Sequence, residues 1–293
     1  MRTDVSFNSH GLTCRGWLYR PDNAPAKAPA ILMSHGFSCV KEQGLDDFAQ
    51  VFCKRGFVVL AFDYRFLGSS DGEPRGRVIP QEQHDDLRAA LDWLAAQTFV
   101  DAERIGLWGT SYSGGHALFF AGLDARVKAV VAQVPAIDLA SSLSKLAGKE
   151  GFAGILASLA ADHARRSAGE SGGEIAVTAP AGQACVLPGA ADIWFKQDAP
   201  NWVNHTTLES VARMAEYVPG SLIELIAPRP LLVIAAQKDS LIPIADLRAA
   251  FARAGEPKTL KEYACTHFEV YPGEKFHDQA ARDGADWFAK HLT

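Results

Sequence analysis

Several things that other classes of protein need are scarce or missing in this chain of 293 residues. It has only five cysteines, Cys14, Cys39, Cys53, Cys185 and Cys265, odd in number and irregularly spaced, with no CxxC pair. A disulfide framework is therefore not expected, and free thiols in a reducing, cytoplasmic setting are. No apolar run suits a bilayer span: 222–236 contains Glu224, Arg229 and two prolines, and 151–161 is too short. The opening Met1-Arg2-Thr3-Asp4-Val5-Ser6-Phe7 has no apolar h-region, so no secretory signal and no membrane association are expected. Basic residues are not in excess. With 29 Lys+Arg against 34 Asp+Glu the formal charge is −5, the wrong sign for a phosphate backbone, so no nucleic-acid partner is expected. No HExxH or Cys/His ligand set occurs, so neither a metal site nor a cofactor is expected. His84 beside Asp85 and Asp86 has a metal-like look, but it falls where an amphipathic helix opens with acidic residues.

What is present reads as an ordinary globular chain: 48% hydrophobic and 22% charged residues argue against disorder and coiled coil. The length suits one large domain, or one domain with an insertion. Val5 and Phe7, a turn at 8–11, then Leu12, Cys14, Gly16 and Leu18 in alternation predict an antiparallel hairpin. Short continuous apolar runs at 30–33, 57–62, 104–108, 127–134 and 230–236 predict strands buried on both faces, with a shorter strand at 259–263. Between them, apolar residues at helical spacing predict helices over 43–54, 81–96, 113–123, 244–254 and 277–292. Strands alternating with amphipathic helices mean an α/β fold, a mostly parallel central sheet flanked by helices.

One stretch breaks the alternation. Residues 138–220 are too many for a bare loop, so the chain divides into a core, 1–137 and 221–293, and a helical cap or lid insertion, 138–220. Within the insertion, Phe152, Ile155, Leu156 and Leu159 mark a helix. Thr206-Thr207-Leu208-Glu209 reads as a capping box opening another helix that runs through Tyr217. The aromatics Trp194, Phe195 and Trp202 are its candidate substrate-binding residues.

The strongest chemical signal is Gly109-Thr110-Ser111-Tyr112-Ser113-Gly114-Gly115, set between a predicted strand and a predicted helix. This is the nucleophile-elbow pattern G-x-S-x-G with Ser113 in place of the last glycine. Ser111 is the candidate nucleophile, with a helix N-terminus behind it to favour developing negative charge. Ser34-His35-Gly36-Phe37-Ser38 follows an earlier strand. The backbone N–H groups of Phe37 and Tyr112 are the candidate oxyanion-hole donors, while His35 is expected to bond to backbone rather than act as a base. A serine needs a base and the base an orienter. His267 follows the last predicted strand and Asp239 the one before, so all three groups sit at strand C-terminal ends, where open α/β sheets place their sites. Asp246 lies inside a predicted helix, and Cys39 and Cys265 near the site are expected to be buried, inert thiols.

At these residues the chain resembles the α/β-hydrolase superfamily. More narrowly it is similar to a branch near dienelactone hydrolases and Xaa-Pro dipeptidyl-peptidase-like hydrolases that includes polyketide transferases and thiohydrolases. The strings that carry the likeness are Met33-Ser-His-Gly-Phe-Ser38, Phe62-Asp-Tyr-Arg-Phe-Leu-Gly-Ser-Ser-Asp-Gly72, Trp108-Gly-Thr-Ser-Tyr-Ser-Gly-Gly-His116 and Asn201-Trp-Val-Asn204. One departure is Phe66 after Arg65, where many relatives have glycine. Nothing resembles the extra domains of dipeptidyl peptidases, so peptidase activity is not expected. The resemblance and the residues together imply a serine hydrolase of the carboxylesterase or thioesterase type (EC 3.1). It would act on a small-molecule acyl ester or thioester through an acyl-enzyme on Ser111, with Asp239 and His267 completing a triad. An acyltransferase with the same triad, and a non-catalytic binding protein on the same fold, are the alternatives. By frequency, a homodimer is the expected assembly.

Overall fold

The alternation at the N-terminus folds as expected. Strands β1 (Arg2–Ser9) and β2 (Leu12–Tyr19) pair antiparallel around a turn in which His10 and Gly11 take positive φ. In this computed structural model, which describes residues 1–23, 25–180, 182–187, 189, 194–195 and 199–292, the hairpin starts an eight-stranded sheet. The chain continues through β3 (Ala28–Ser34), α1 (Leu45–Lys54), β4 (Val58–Phe62), α2 (Pro80–Ala95), β5 (Val100–Thr110), α3 (Tyr112–Leu123) and β6 (Val127–Gln133). After the long interruption come a 3-10 helix (Pro219–Ile226), β9 (Leu231–Ala236), a helix Ile244–Arg253, β10 (Lys258–Tyr263), a 3-10 turn (His267–Val270) and a helix His277–Leu292.

The strand order is β1-β2-β4-β3-β5-β6-β9-β10, parallel from β4 onward and antiparallel only at the hairpin edge. Every residue of β3, β4 and β9 is buried, which is why those runs are apolar without alternation. Strand β5 is longer than its apolar run, because Val100 already pairs with Ala28 before a register shift. The sheet thus has helices on both faces, and the loops at the C-terminal ends of β3, β5, β9 and β10 converge on one edge.

Residues 138–220 carry α4 (Leu139–Ser167), the two-residue strands β7 (Glu174–Ile175) and β8 (Thr206–Thr207), and α5 (Leu208–Ala215). The helices near the C-terminus are then α6 (Ile244–Arg253) and α7 (His277–Leu292). Helix α4 is broken at Gly148, whose φ of 70° and ψ of 171° no helix contains. Its first part lies over the edge where the loops converge. Its second part packs Phe152, Ile155 and Leu159 against the core cluster and leaves Leu156 exposed.

The N-cap falls one residue later than the sequence suggests, and no capping box forms. Thr207, not Thr206, is the N-cap, accepting from the Ser210 N–H at 3.1 Å. The Thr206 hydroxyl donates instead to Gly76 O at 2.7 Å, and Glu209 pairs with Arg77 at 2.6 Å. Both groups are engaged by the core, so neither closes a box, and the helix ends at Ala215 rather than Tyr217.

Where the interruption rejoins the core, a neutral polar network lies against the helix behind Ser111. Gln83 Oε1 accepts from His116 Nε2 at 2.9 Å, which leaves His116 Nδ1 as an acceptor. The Tyr217 hydroxyl donates to it at 3.0 Å and accepts from His84 Nε2 at 2.9 Å. His84 is therefore a buried partner of His116, and among the described residues no group of side chains could hold a metal. Burial, with Arg88 nearby, pushes the His84 imidazole down to about 3, and burial with His84 and His35 holds His116 well below the usual range. The unfolded chain takes up these protons from about pH 6.5 downward, whereas the folded chain resists them. Stability should therefore fall as pH drops below about 6.5. His84 alone accounts for about 2 kcal/mol between pH 7 and 5. Urea unfolding at the two pH values should show His84→Gln losing about that much less than the wild type. An unchanged pH slope would exclude this network as the source.

Candidate active site

Strand β5 ends in Gly109 and Thr110, and α3 begins at Tyr112, leaving Ser111 alone to make the turn. Its backbone takes φ 56° and ψ −119°, a conformation that L-residues rarely adopt. The crowding around it explains the small neighbours. A Cβ on Gly109 would lie 2.0 Å from Ser113 O, and one on Gly115 would lie 2.7 Å from Ala136 O. Ser113, the departure from the elbow pattern, is fully buried, and its hydroxyl is 2.9 Å from the Tyr64 phenol. The serine is accommodated because it brings its own hydrogen-bond partner.

Ser111, His267 and Asp239, 156 and 28 residues apart in successive pairs, meet here. The Ser111 hydroxyl donates to His267 Nε2 at 3.0 Å. His267 Nδ1 donates to Asp239 Oδ2 at 2.7 Å. The other carboxylate oxygen, Oδ1, accepts from the backbone N–H groups of Leu241 and Ile242 at 2.8 and 2.9 Å. The carboxylate is thus fixed on both oxygens, and His267 and Asp239 side chains are each 3% exposed. The Thr110 hydroxyl beside Ser111 shares a 2.8 Å hydrogen bond with the Tyr271 phenol, and Gln133 Nε2 donates to Thr110 at 3.2 Å. Tyr271 has no signal in the sequence, because it is one aromatic among many in the last third of the chain.

Phe37 and Tyr112 border the same pocket as Ser111, their rings edge-on with centroids 5.6 Å apart. Tyr112 is the first residue of α3, so its N–H has no partner within the helix. Neither its N–H nor that of Phe37 joins a turn or cap hydrogen bond among the described residues. His35 behaves as expected: Nδ1 faces Gly36 O at 3.0 Å, and burial holds the imidazole below its usual range.

The Phe37 loop is held from behind by a group the sequence reading passes over. Asp63, wholly buried, accepts from Lys41 N and Lys41 Nζ, each at 2.7 Å, and from Ser69 N at 2.9 Å. A buried charge needs such pairing. In the next loop Phe66 has φ 70°, the left-handed region that favours glycine.

Trp194 and Phe195 line the aromatic side of the site, with Trp194 packed on Phe268 and Tyr271. Trp202 is placed differently. It does not border the pockets at Ser111; its ring stacks on Phe195 and its indole N–H donates to Ser38 O at 2.9 Å. It links Phe195 to the Phe37 loop. Asp246 does not approach His267; it pairs with Lys145 at 2.7 Å and accepts from Ser141 at 2.8 Å, tying α4 to α6. Cys39 and Cys265 are buried free thiols, Cys39 pushed well up by burial and Cys265 up to about 11. Such thiols are poor nucleophiles.

Ser113→Ala should cost about 1–3 kcal/mol, since it removes a buried hydrogen bond to the Tyr64 hydroxyl. Adding Tyr64→Phe should cost less than Tyr64→Phe alone does in the wild type, so a double-mutant cycle read by urea unfolding should show coupling. Strict additivity would mean the hydrogen bond contributes nothing.

Comparisons with known proteins bear on the family and the fold. Residues 15–215 match the family described as X-Pro dipeptidyl-peptidase (S15 family). The quorum-quenching protein AidA of Acinetobacter baumannii is 32% identical over 98% of this chain and 94% of its own. Thiohydrolase aneE of Aspergillus aculeatus is 33% identical over 86% of this chain and 81% of its own. The crystal structure of the α/β hydrolase GrgF from Penicillium sp. sh18 superposes with a TM-score of 0.84 at 27% identity, covering 100% of this chain and 99% of that one. The chain therefore belongs to the X-Pro dipeptidyl-peptidase (S15) family, within the α/β-hydrolases.

Proposed function

We propose that this α/β-hydrolase cleaves a carboxylic ester or thioester through an acyl-enzyme on Ser111. The observation that carries the reading is the continuous hydrogen-bonded chain Ser111 Oγ, His267 Nε2 and Nδ1, Asp239 Oδ2, at 3.0 and 2.7 Å. Those distances are within reach for proton transfer without rearrangement. As Ser111 Oγ bonds to the substrate carbonyl carbon, its proton passes to His267 Nε2. Asp239 fixes the tautomer with Nδ1 protonated and favours the imidazolium. The Phe37 and Tyr112 N–H groups receive the negative charge that develops on the carbonyl oxygen, each contributing about 10²–10³ in rate. The carbon–leaving-group bond then breaks, and His267 returns the proton to the departing oxygen or sulfur. Water, deprotonated by His267, attacks the acyl-enzyme, releasing the acid and restoring Ser111. The name of the thiohydrolase relative supports a thioester among the substrates.

In this reading residues 1–137 and 221–293 form the catalytic core and 138–220 the cap. Its support is that α4 and the Trp194–Phe195 pair, both within 138–220, border the pockets at Ser111. The substrate is a small molecule, and no described helix is long and apolar enough to cross a membrane.

A fluorophosphonate should label Ser111 stoichiometrically, and Ser111→Ala should abolish both labelling and ester turnover. Asp239→Asn should fold normally yet lower kcat by about 10⁴, since it favours the wrong imidazole tautomer. Folded wild-type protein that takes up no label, or full turnover by Asp239→Asn, would remove the proposal.

A further inference from the structure

Two separate pockets open from Ser111, and they differ in chemistry. One lies under the first part of α4 and is walled by Leu139, Leu143, Leu146, Met214 and Ile242. The other is walled by Trp194, Phe195, Phe268 and Tyr271 and includes His267. Phe37, Leu187 and Leu241 border both, so they stand between the two halves of any molecule bound across the serine.

Only one of these pockets contains the base. In acyl transfer from an ester, the imidazolium must hand its proton to the leaving atom, so the leaving group has to lie on the side of the histidine. His267 borders the aromatic pocket and not the aliphatic one. The leaving group therefore belongs on the aromatic side, and the acyl chain under α4.

The geometry points to a substrate whose acyl part is short, uncharged and apolar, held by Leu143, Leu146 and Met214, with its leaving group against Phe268 and Trp194. This rests on the serine-hydrolase reading and adds the acyl class to it. The aliphatic pocket measures about 60 Å³. At roughly 20–30 Å³ for each water-sized group, it has room for about two to three carbons beyond the carbonyl. Among the described residues its walls carry no ionised side chain: Ser142 and Tyr112 are the polar members besides Ser111, and burial keeps the Tyr112 phenol neutral. A carboxylate on the acyl tail would lose its hydration there and meet no cation among the described residues in return. The pocket's depth is set by α4, which is held down by the Lys145 and Ser141 contacts to Asp246.

The test is a series of phenyl and ethyl esters carrying acetyl to decanoyl chains, with the hemisuccinate beside the butyrate. The variants Leu143→Ala, Leu146→Ala and Phe268→Ala are run with the wild type, and fluorophosphonate labelling of each reports the state of Ser111. Leu146 is half-buried, so its truncation spares the fold if Leu143→Ala does not. The wild type should lose about tenfold or more in kcat/KM for each pair of methylenes beyond an acyl chain of about four carbons. It should also discriminate against the hemisuccinate by a similar factor. Leu143→Ala or Leu146→Ala should raise the octanoyl-to-butyryl ratio about tenfold and leave the phenyl-to-ethyl ratio unchanged. Phe268→Ala should do the reverse. If Leu143→Ala and Leu146→Ala alter only the phenyl-to-ethyl ratio, or the length profile is flat, the acyl assignment is overturned while labelled Ser111 keeps the hydrolase reading. If nothing is cleaved and nothing labelled, both fall.

Discussion

At Ser111 the backbone is held where L-residues rarely go, at φ 56° and ψ −119°, and much of the surrounding structure can be traced to keeping it there. The Ser111 N–H donates to Gln133 O at 2.8 Å, and its carbonyl accepts from Gly115 and Ala136 at 3.1 and 2.9 Å. Those bonds lock the turn between β5 and α3 against the end of β6. Such a strained residue survives only when its surroundings over-determine it. Gly109 has to lack a side chain, because the carbonyl of Ser113 occupies that space. Ser113 has to be small and to find a partner, which Tyr64 supplies. The reward of the turn is positional: the hydroxyl stands clear of the sheet, at the N-terminus of α3 and within reach of His267.

The loop that carries Phe37 is held by electrostatics rather than by strain at a single residue. Asp63, at the end of β4, binds both the backbone and the side chain of Lys41, so the neighbouring parallel strand fixes where the Phe37 N–H points. From above, Trp202 reaches Ser38 O, and Gln43 Nε2 donates to Phe195 O at 3.1 Å. The segment over the site and the loop beneath it are therefore joined by hydrogen bonds. A change in Trp202 would be felt in the Phe37 loop through Ser38.

Much of this was legible in the sequence, for reasons that differ by element. Buried parallel strands advertise themselves, since β3, β4 and β9 must be apolar at every position. Ser111, Asp239 and His267 stood at the ends of runs already read as strands, so their meeting followed from topology. The capping residue of α5 was off by one because Thr206 and Thr207 are the same to a local pattern. Only the tertiary contact to Gly76 O tells them apart. Asp63, Tyr64 and Tyr271 were illegible in their roles, since nothing local marks an aspartate that will face Lys41 or a phenol that will reach Ser113 or Thr110. Trp202 stood out as an aromatic, yet which side of Phe195 it would occupy depends on packing. His84 stood out beside two aspartates at a helix start, and its burial depends on where α3 and Tyr217 come to lie.

The spacing of the three site residues also bears on how the chain acquires its activity. Ser111 and His267 are 156 residues apart, and the strands that deliver them are separated in the sheet by β6 and β9. Contacts so distant in sequence form late, because the loop between them must be closed before they reward it. During synthesis the elbow, the Phe37 loop and half of the sheet emerge well before β10 and the histidine exist. Strand β6 waits with an open edge until β9 arrives, and β9 until β10. Recovery of serine reactivity during refolding would consequently time the last act of folding, the docking of the two final strands, rather than the collapse that precedes it.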